Sequence, residues 1–241
     1  AREPRARLVV VGFGAYRAAV ERLIAALADR DEAALDALVA SGRAEEGGPH
    51  APLRHLRAFL DGLDGEQRTA YFAAAAGLRE RVVLTGRLDH DELAELLPAC
   101  EALVVPSTFP EAFGMVAAEG AACGALPVCA GHSGLAEVAE ALARAVPAPA
   151  RPWLAFPLEA EAGAQPDPVS AIAERVAAWL ATPAELRAAT RTALVETVRE
   201  RWSWEGVARG VIAAAQASRD APAAAADEID GSRWHDRRPT G

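Results

Sequence analysis

An apolar run followed by a proline and two spaced carboxylates most constrains this chain. Residues 102–105 read Ala-Leu-Val-Val, which is typical of a buried strand, and Pro106 ends that strand. A short polar loop follows, and from about Phe113 the sequence turns into an Ala-rich helix. Such a strand–loop–helix unit places the loop at the carboxyl end of a strand, where open α/β sheets bind their ligands.

Two carboxylates flank the start of that helix. Glu111 lies in the loop and Glu119 lies inside the helix, with seven residues between them. The free backbone N–H groups of the first helical turn favour negative charge or hydroxyl oxygens. We therefore predict the ligand site here. The competing interpretation is that Glu111 only favours the helix N-terminus electrostatically and that Glu119 is solvated.

Glu111-x-Phe113-Gly114, completed by Glu119, resembles the donor-site motif of retaining glycosyltransferases of the GT-B fold, family 4 (glycosyl transferases group 1). Four further segments resemble the family in the same order, so that the similarity runs from about residue 7 to 217: Leu8–Gly14, Arg81–Leu88, Ala122–Val128 and Arg201–Trp204.

The resemblance implies a fold and a domain arrangement. We expect an α/β fold, a Rossmann-like parallel sheet flanked by helices, as in the carboxyl-terminal half of GT-B proteins, with a helical insertion at about 31–79. The domain would cover residues 1–217, and the low-complexity segment 218–241 would be a disordered tail. The family's first strand and its amino-terminal acceptor domain would precede Ala1, so the chain would be a truncated enzyme that is inactive alone.

The resemblance also implies roles for individual residues. Glu119 would hold the donor's ribose, and Glu111 would hold the transferred sugar as the catalytic residue. A carboxylate suits both tasks because it accepts two hydroxyl donors in charge-assisted bonds. The remaining predicted donor-binding residues are the amides of the helix start, a base-contacting strand end and a turn near the phosphates: Phe113, Gly114, Met115, Arg87, Leu88, Ser133 and Gly134.

Three further residues have simpler interpretations. Asp89 and Glu92 have the spacing of a capping box, so Asp89 is predicted to be a helix cap. His132 departs from the family's Gly-Gly turn. We predict either a contact with the donor or a turn residue that tolerates an unusual φ. Gly12-Phe13-Gly14 is predicted to be a tight strand-to-helix turn, because the dinucleotide fingerprint is incomplete.

Composition narrows the classes of partner. The net charge of −9 argues against nucleic acid, because no basic stripe could neutralise phosphates. The three cysteines have no metal-ligand spacing, so we expect no metal site and interpret them as reduced thiols of a cytoplasmic protein. No apolar run has the length of a membrane span. The expected ligand is a nucleotide-diphospho-sugar bound as substrate, with no further cofactor, and the expected partner is the amino-terminal GT-B domain.

Two other functions compete with the transferase. A GT-B epimerase or phosphorylase would share the donor pocket, although a phosphorylase needs a pyridoxal lysine with no obvious candidate here. A non-catalytic nucleotide-binding or assembly module is the third hypothesis. The base, the sugar and the acceptor are left open by the sequence.

Overall fold

The structure, a computed structural model, describes residue 3, residues 5–158 and residues 167–220, with side chains up to 217. The chain divides into two compact units, Ala1–Val198 and Arg199–Gly241. The last helix runs to Asp220, a short way into the segment predicted as a disordered tail. The rest of that segment, 221–241, lies outside the described residues.

The first sheet of the larger unit has two parallel strands. Strand β1 (Leu8–Val11) pairs with β2 (Val82–Gly86), with Leu8 opposite Val82 and Val10 opposite Leu84. A parallel pair needs a long crossover, and here it contains five α-helices and a short 3-10 helix, Arg43–Glu46. The α-helices are α1 (Arg17–Asp29), α2 (Glu32–Ser41), α3 (Arg54–Asp61), α4 (Gly65–Ala75) and α5 (Leu78–Arg81).

These crossover helices bury an apolar cluster of their own. Leu27 of α1, Leu35 and Val39 of α2, Leu60 of α3 and Phe72 of α4 belong to it. Most of the segment at 31–79 is therefore helical, with a non-helical connection at 47–53. The cluster explains why these helices are ordered, since short helices depend on packing of an apolar face.

The crossover contains a break between two consecutive helices. Helix α4 ends at Ala75, and a separate turn, α5, begins at Leu78. The Arg81 guanidinium donates to the carbonyl oxygens of Ala74 at 2.6 Å and Gly77 at 3.0 Å. Because it satisfies carbonyls that an uninterrupted helix would pair internally, this side chain stabilises the break.

The second sheet has the order β3-β4-β5, and all its strands are parallel: β3 (Ala102–Val105), β4 (Leu126–Ala130) and β5 (Ala155–Phe156). The helices that follow or flank these strands are α6 (His90–Leu96), α7 (Met115–Ala122), α8 (Ser133–Ala145), α9 (Pro168–Leu180) and α10 (Ala184–Arg201). The predicted α/β fold with parallel strands flanked by helices is thus confirmed, although its strands hydrogen-bond as two sheets instead of one.

Strand β5, at the edge of the second sheet, is short. Trp153 belongs to a 3-10 turn, Ala148–Trp153, and only Ala155–Phe156 pairs with β4. Pro152 within the turn has no N–H with which to bond a neighbouring strand. Trp179 of α9 is fully buried, and its indole Nε1 donates to the Glu101 carbonyl oxygen at 2.7 Å, which attaches α9 to the start of β3.

The smaller unit contains α11 (Trp204–Asp220). The Gly206 amide donates to Ser203 Oγ at 3.0 Å, which satisfies a backbone donor of the first helical turn. The helical spacing of Val207, Val211 and Ile212 predicted this helix, and all three side chains are exposed. Across the described ranges, no helix has both the length and the apolar character needed to cross a membrane.

Candidate donor-binding site

The predicted site lies where β3 and β4 end side by side. Val105 at the end of β3 is paired with Cys129 of β4. The loop 106–114 therefore leaves the sheet beside the turn Gly131–Gly134, and α7 and α8 begin from these two segments. Glu111 and the predicted Ser133-Gly134 turn belong to this edge of the sheet, whereas Glu119 lies one turn into α7, beside the Gly120 that packs on Leu103.

Glu111 has its backbone fixed from both sides by that turn. Its amide donates to Ser133 Oγ at 3.0 Å, and its carbonyl accepts from the Gly134 amide at 2.9 Å. The residue is half-buried. Ser133 and Gly134 were predicted as donor-binding residues, and the bonds that the structure gives them hold the Glu111 loop.

Glu119 lies on the outward side of α7. Its neighbours Ala118 and Gly120 are buried, whereas Met115 and Ala122, one turn away on either side, are exposed. A Cβ on Gly120 would lie 2.5 Å from Leu103 Cδ2, so the helix packs closely on β3 through its small residues. Among the described residues, neither the Glu119 nor the Glu111 carboxylate forms an ion pair or a side-chain hydrogen bond.

The negative charges of the two carboxylates affect different thiols. Burial raises the pKa of Cys129 to about 12, and the Glu111 charge adds to the effect. Burial also raises the pKa of Cys123, with contributions from Glu119 and Cys100. The raised pKa values keep both thiols neutral at pH 7.

The start of α7 differs from the prediction. The helix begins at Met115, not at about Phe113, and the Met115 amide donates to the Phe113 carbonyl oxygen at 3.0 Å. The expectation that this amide is free for a ligand is therefore wrong for this structure. The side chains of Phe113 and Met115 are exposed.

Gly114 is required by packing. It is buried, and a Cβ there would lie 2.9 Å from Leu135 Cδ2 and 3.2 Å from Leu135 Cα. The space beside its Cα is therefore taken by α8. Packing requires a glycine at position 134 as well, because an added Cβ would lie 2.6 Å from Phe113 Cα.

Arg87 and Leu88 follow the first sheet and not the second. They come after Gly86, whose φ is +82°, at the carboxyl end of β2. Arg87 is largely exposed and its Nη2 lies 3.3 Å from Asp89 Oδ1, while Leu88 is half-buried. Asp89 caps α6 as predicted, and its amide donates to Glu92 Oε2 at 2.8 Å.

A cavity of about 170 Å³ lies at the carboxyl end of β1, and it involves none of the predicted site residues. It is lined by Val10, Gly12, Phe13, Gly14, Tyr16, Arg17, Val20 and Leu84. Gly14 has a φ of +142°, a conformation that side chains disfavour. This supports the interpretation of Gly12-Phe13-Gly14 as a tight turn.

His132 is the residue whose place the sequence analysis missed. Its φ of −144° is ordinary, so the prediction of an unusual backbone there is wrong, and the left-handed residue is Ser133 with φ +52°. The imidazole Nε2 lies 2.8 Å from the Ser107 carbonyl oxygen and Nδ1 lies 3.1 Å from Ser133 Oγ. The signal available in the sequence was a polar side chain directly beside the predicted Ser133-Gly134 turn.

Comparison with known proteins identifies the stretch that contains this site. The model of the family "Glycosyl transferases group 1" matches residues 54–152. A solved structure of sucrose-phosphate synthase from Thermosynechococcus elongatus is similar to the chain with a TM-score of 0.48 and 22% identity. That similarity covers 91% of this chain and 47% of the synthase, so the chain spans about half of that protein's length. No curated protein sequence matches the chain.

The family match includes both carboxylates, the Ser133-Gly134 turn and the end of β2. It therefore supports the resemblance over the three motif segments that lie within residues 54–152, and this stretch is similar to glycosyl transferases group 1.

Proposed function

We propose that the chain is the donor-binding domain of a retaining, family 4 glycosyltransferase of the GT-B fold, which takes a sugar from a nucleotide-diphospho-sugar. The observation that carries the proposal is the family match, because it spans both carboxylates of the motif. Acceptor binding is assigned to a separate amino-terminal GT-B domain, as the resemblance implies. We propose the cytoplasm as the location, since all three cysteines are free.

The state of the two carboxylates supports donor binding over a structural role. Both are half-buried, and neither is paired within the described part of the chain. Glu119 projects from the outward side of a helix whose other side is packed on β3, so its carboxylate is available to a ribose diol. Glu111 is presented by a loop with a fixed backbone, as a group that orients a sugar should be.

The chemical part of this domain is to position the donor and to stabilise the departing diphosphate. In a retaining transfer the diphosphate leaves from the same face of the sugar that the acceptor oxygen approaches. Backbone N–H groups at a helix start stabilise such negative charge. The Met115 amide would join them only after exchanging its bond to Phe113 for one to the ligand.

Calorimetric titration of the chain with UDP-, GDP- and ADP-sugars, and with the corresponding nucleoside diphosphates, tests the proposal. Glu119→Gln should weaken nucleotides and sugar nucleotides alike, because the ribose is common to both. Glu111→Gln should weaken only the sugar nucleotides. Each loss should be about 10- to 100-fold, the size of a charge-assisted bond.

Glu140→Gln is the matched control. Glu140 is exposed on α8 and its carboxylate lies 3.7 Å from Arg144, so its removal should leave every affinity unchanged. A folded protein that binds none of these nucleotides would contradict the proposal and favour a non-catalytic assembly module. Equal loss of all ligands in both variants would contradict the assignment of separate roles.

A further inference from the structure

The loop that carries Glu111 is held at two points by two consecutive residues of the turn after β4. His132 Nε2 reaches the carbonyl oxygen of Ser107 at 2.8 Å, near the start of the loop. Ser133 Oγ accepts from the Glu111 amide at 3.0 Å. His132 Nδ1 and Ser133 Oγ are themselves 3.1 Å apart, so the two contacts form one chain of hydrogen bonds.

For a neutral imidazole, the hydrogens in this chain can be assigned by elimination. The Ser107 carbonyl oxygen only accepts, so His132 Nε2 carries a hydrogen. Since the Glu111 amide donates to Ser133 Oγ, the serine hydroxyl hydrogen is left to donate elsewhere. The Nε2–H tautomer of a neutral imidazole has an acceptor at Nδ1, and Ser133 donates there. Every donor and acceptor is then matched from Glu111 to Ser107.

Ser133 has a backbone conformation whose strain a glycine would avoid. Its φ of +52° is one that a serine adopts with strain and a glycine adopts freely. Glycine at this position would relieve the strain but would provide no acceptor for the Glu111 amide. Strained residues of this kind are concentrated at functional sites.

We propose that His132 is a positioning residue: acting with Ser133, it sets the conformation of the Ser107–Glu111 loop and hence the orientation of the Glu111 carboxylate. The role of that carboxylate towards a sugar rests on the function proposed above. The hydrogen-bond chain itself is a property of the free protein and can be tested without a ligand.

The first test is the tautomer of His132, measured by ¹⁵N NMR of the imidazole nitrogens in the full chain. The spectrum of His132→Gln assigns the signal among the five histidines. We expect the Nε2–H tautomer at neutral pH, with slowed exchange of that hydrogen. The Nδ1–H tautomer, or averaged signals of a freely rotating ring, would overturn the proposal.

The second test separates positioning from stability through substitutions. Ser133→Gly relieves the left-handed strain but removes the two hydrogen bonds of the hydroxyl, so its Tm should stay close to that of the unmodified protein. Amide hydrogen exchange at Glu111 should nevertheless become about tenfold faster, because the acceptor of that amide is lost. Unchanged exchange at Glu111 would contradict a role of the Ser133 hydroxyl in holding the loop.

Substitutions at His132 can remove its hydrogen bonds to Ser107 and Ser133 one at a time or together. His132→Gln can retain a donor towards Ser107, His132→Asn can retain an acceptor for Ser133, and His132→Ala retains neither. Exchange at Glu111 should be fastest in His132→Ala, with intermediate rates in the other two. The exposed His55→Ala is the control and should leave exchange unchanged. Unchanged exchange in His132→Ala would overturn the proposal.

Ligand titration distinguishes this inference from the proposed function. His132→Ala should weaken sugar nucleotides but not nucleoside diphosphates, the same pattern as Glu111→Gln. Equal weakening of both ligand types would overturn the assignment to Glu111. If the unmodified protein binds no nucleotide, the proposed function fails, and the tautomer and exchange measurements still decide whether His132 holds the loop.

Discussion

Strands β1 and β4 are both apolar and parallel, yet they differ in what covers them. Every residue of β4 is buried, and Leu126, Val128 and Cys129 are 0% exposed. In β1, Leu8 is 53% exposed and Val11 is 41% exposed. Both strands consist of apolar residues, so composition alone does not account for the difference in burial.

The difference shows that burial comes from a strand's neighbours. Strand β4 pairs with β3 and β5, and helices α7, α8 and α9 pack on it. Within the described residues β1 pairs only with β2. Strands apolar on both faces are typical of sheet interiors. The loop that carries Glu111 thus follows a strand of the well-packed second sheet, whereas Arg87 and Leu88 follow a strand of the more exposed first sheet.

The largest loss of stability should come from Trp179, which attaches α9 to the second sheet. Trp179→Ala should lower the free energy of unfolding by about 3–5 kcal/mol, because it opens a cavity and leaves the Glu101 carbonyl without the indole donor. Urea denaturation measures it. Trp204, 88% exposed, is the control, and its change to alanine should stay within about 0.5 kcal/mol. Similar losses in the free energy of unfolding at both positions would contradict the prediction that the buried Trp179 contributes far more than the exposed Trp204.

The second effect compares glycines at the ends of β4 and β1. Gly134→Ala should cost about 1–3 kcal/mol, since the new Cβ would meet the Phe113 backbone at 2.6 Å. Gly12→Ala should be tolerated, because nothing lies within 4 Å of a Cβ there. Denaturation midpoints of the two variants provide the comparison, and equal shifts would contradict it.

The third effect is a pH dependence from the thiol buried in β4. The pKa of Cys129 rises from 9.0 to about 12 on folding. Below pH 9 the thiol is protonated in both the folded and the unfolded chain, so the free energy of unfolding loses nothing to its ionisation. As the pH rises from 9 towards 12 the unfolded chain ionises first, and stability should fall by up to about 1.4 kcal/mol per pH unit. Cys129→Ala should reduce this slope in denaturation curves between pH 8 and 11. An unchanged slope would show that other groups cause it.

The smallest effect is expected on β1. Leu8→Thr should change the free energy of unfolding by no more than about 0.5 kcal/mol, because half of the side chain is exposed. Leu126→Thr, at the first residue of β4, is the matched change and should cost several times more. A large loss for Leu8→Thr would indicate that β1 is covered in solution.

Periodicity and capping signals predicted most elements of the fold. The strands around Leu8, Val83, Val104 and Val128 and the helix that Asp167 and Pro168 begin all follow from local sequence. The break between α4 and α5 does not, because it depends on the Arg81 guanidinium folding back onto two carbonyls. The residues predicted for the site were chosen by motif, but their contacts were not predictable.

Gly114 illustrates the reason. A motif identifies a glycine, but whether it makes room for a ligand or for Leu135 is decided by how α7 and α8 pack, which is a long-range property. Likewise the bond from His132 to Ser107 joins segments that are distant along the chain. Sequence reasoning located the turn but could not determine which of its residues would be strained.

The carbonyl of Glu101 has a consequence for how this domain can diverge. It accepts both the Leu126 amide at 3.1 Å and the Trp179 indole at 2.7 Å, so one oxygen fixes the register of β3 against β4 and secures α9. This junction lies at the amino end of β3, and the Ser107–Glu111 loop lies at the other end. Substitutions in the loop can therefore accumulate without shifting the strand that carries it.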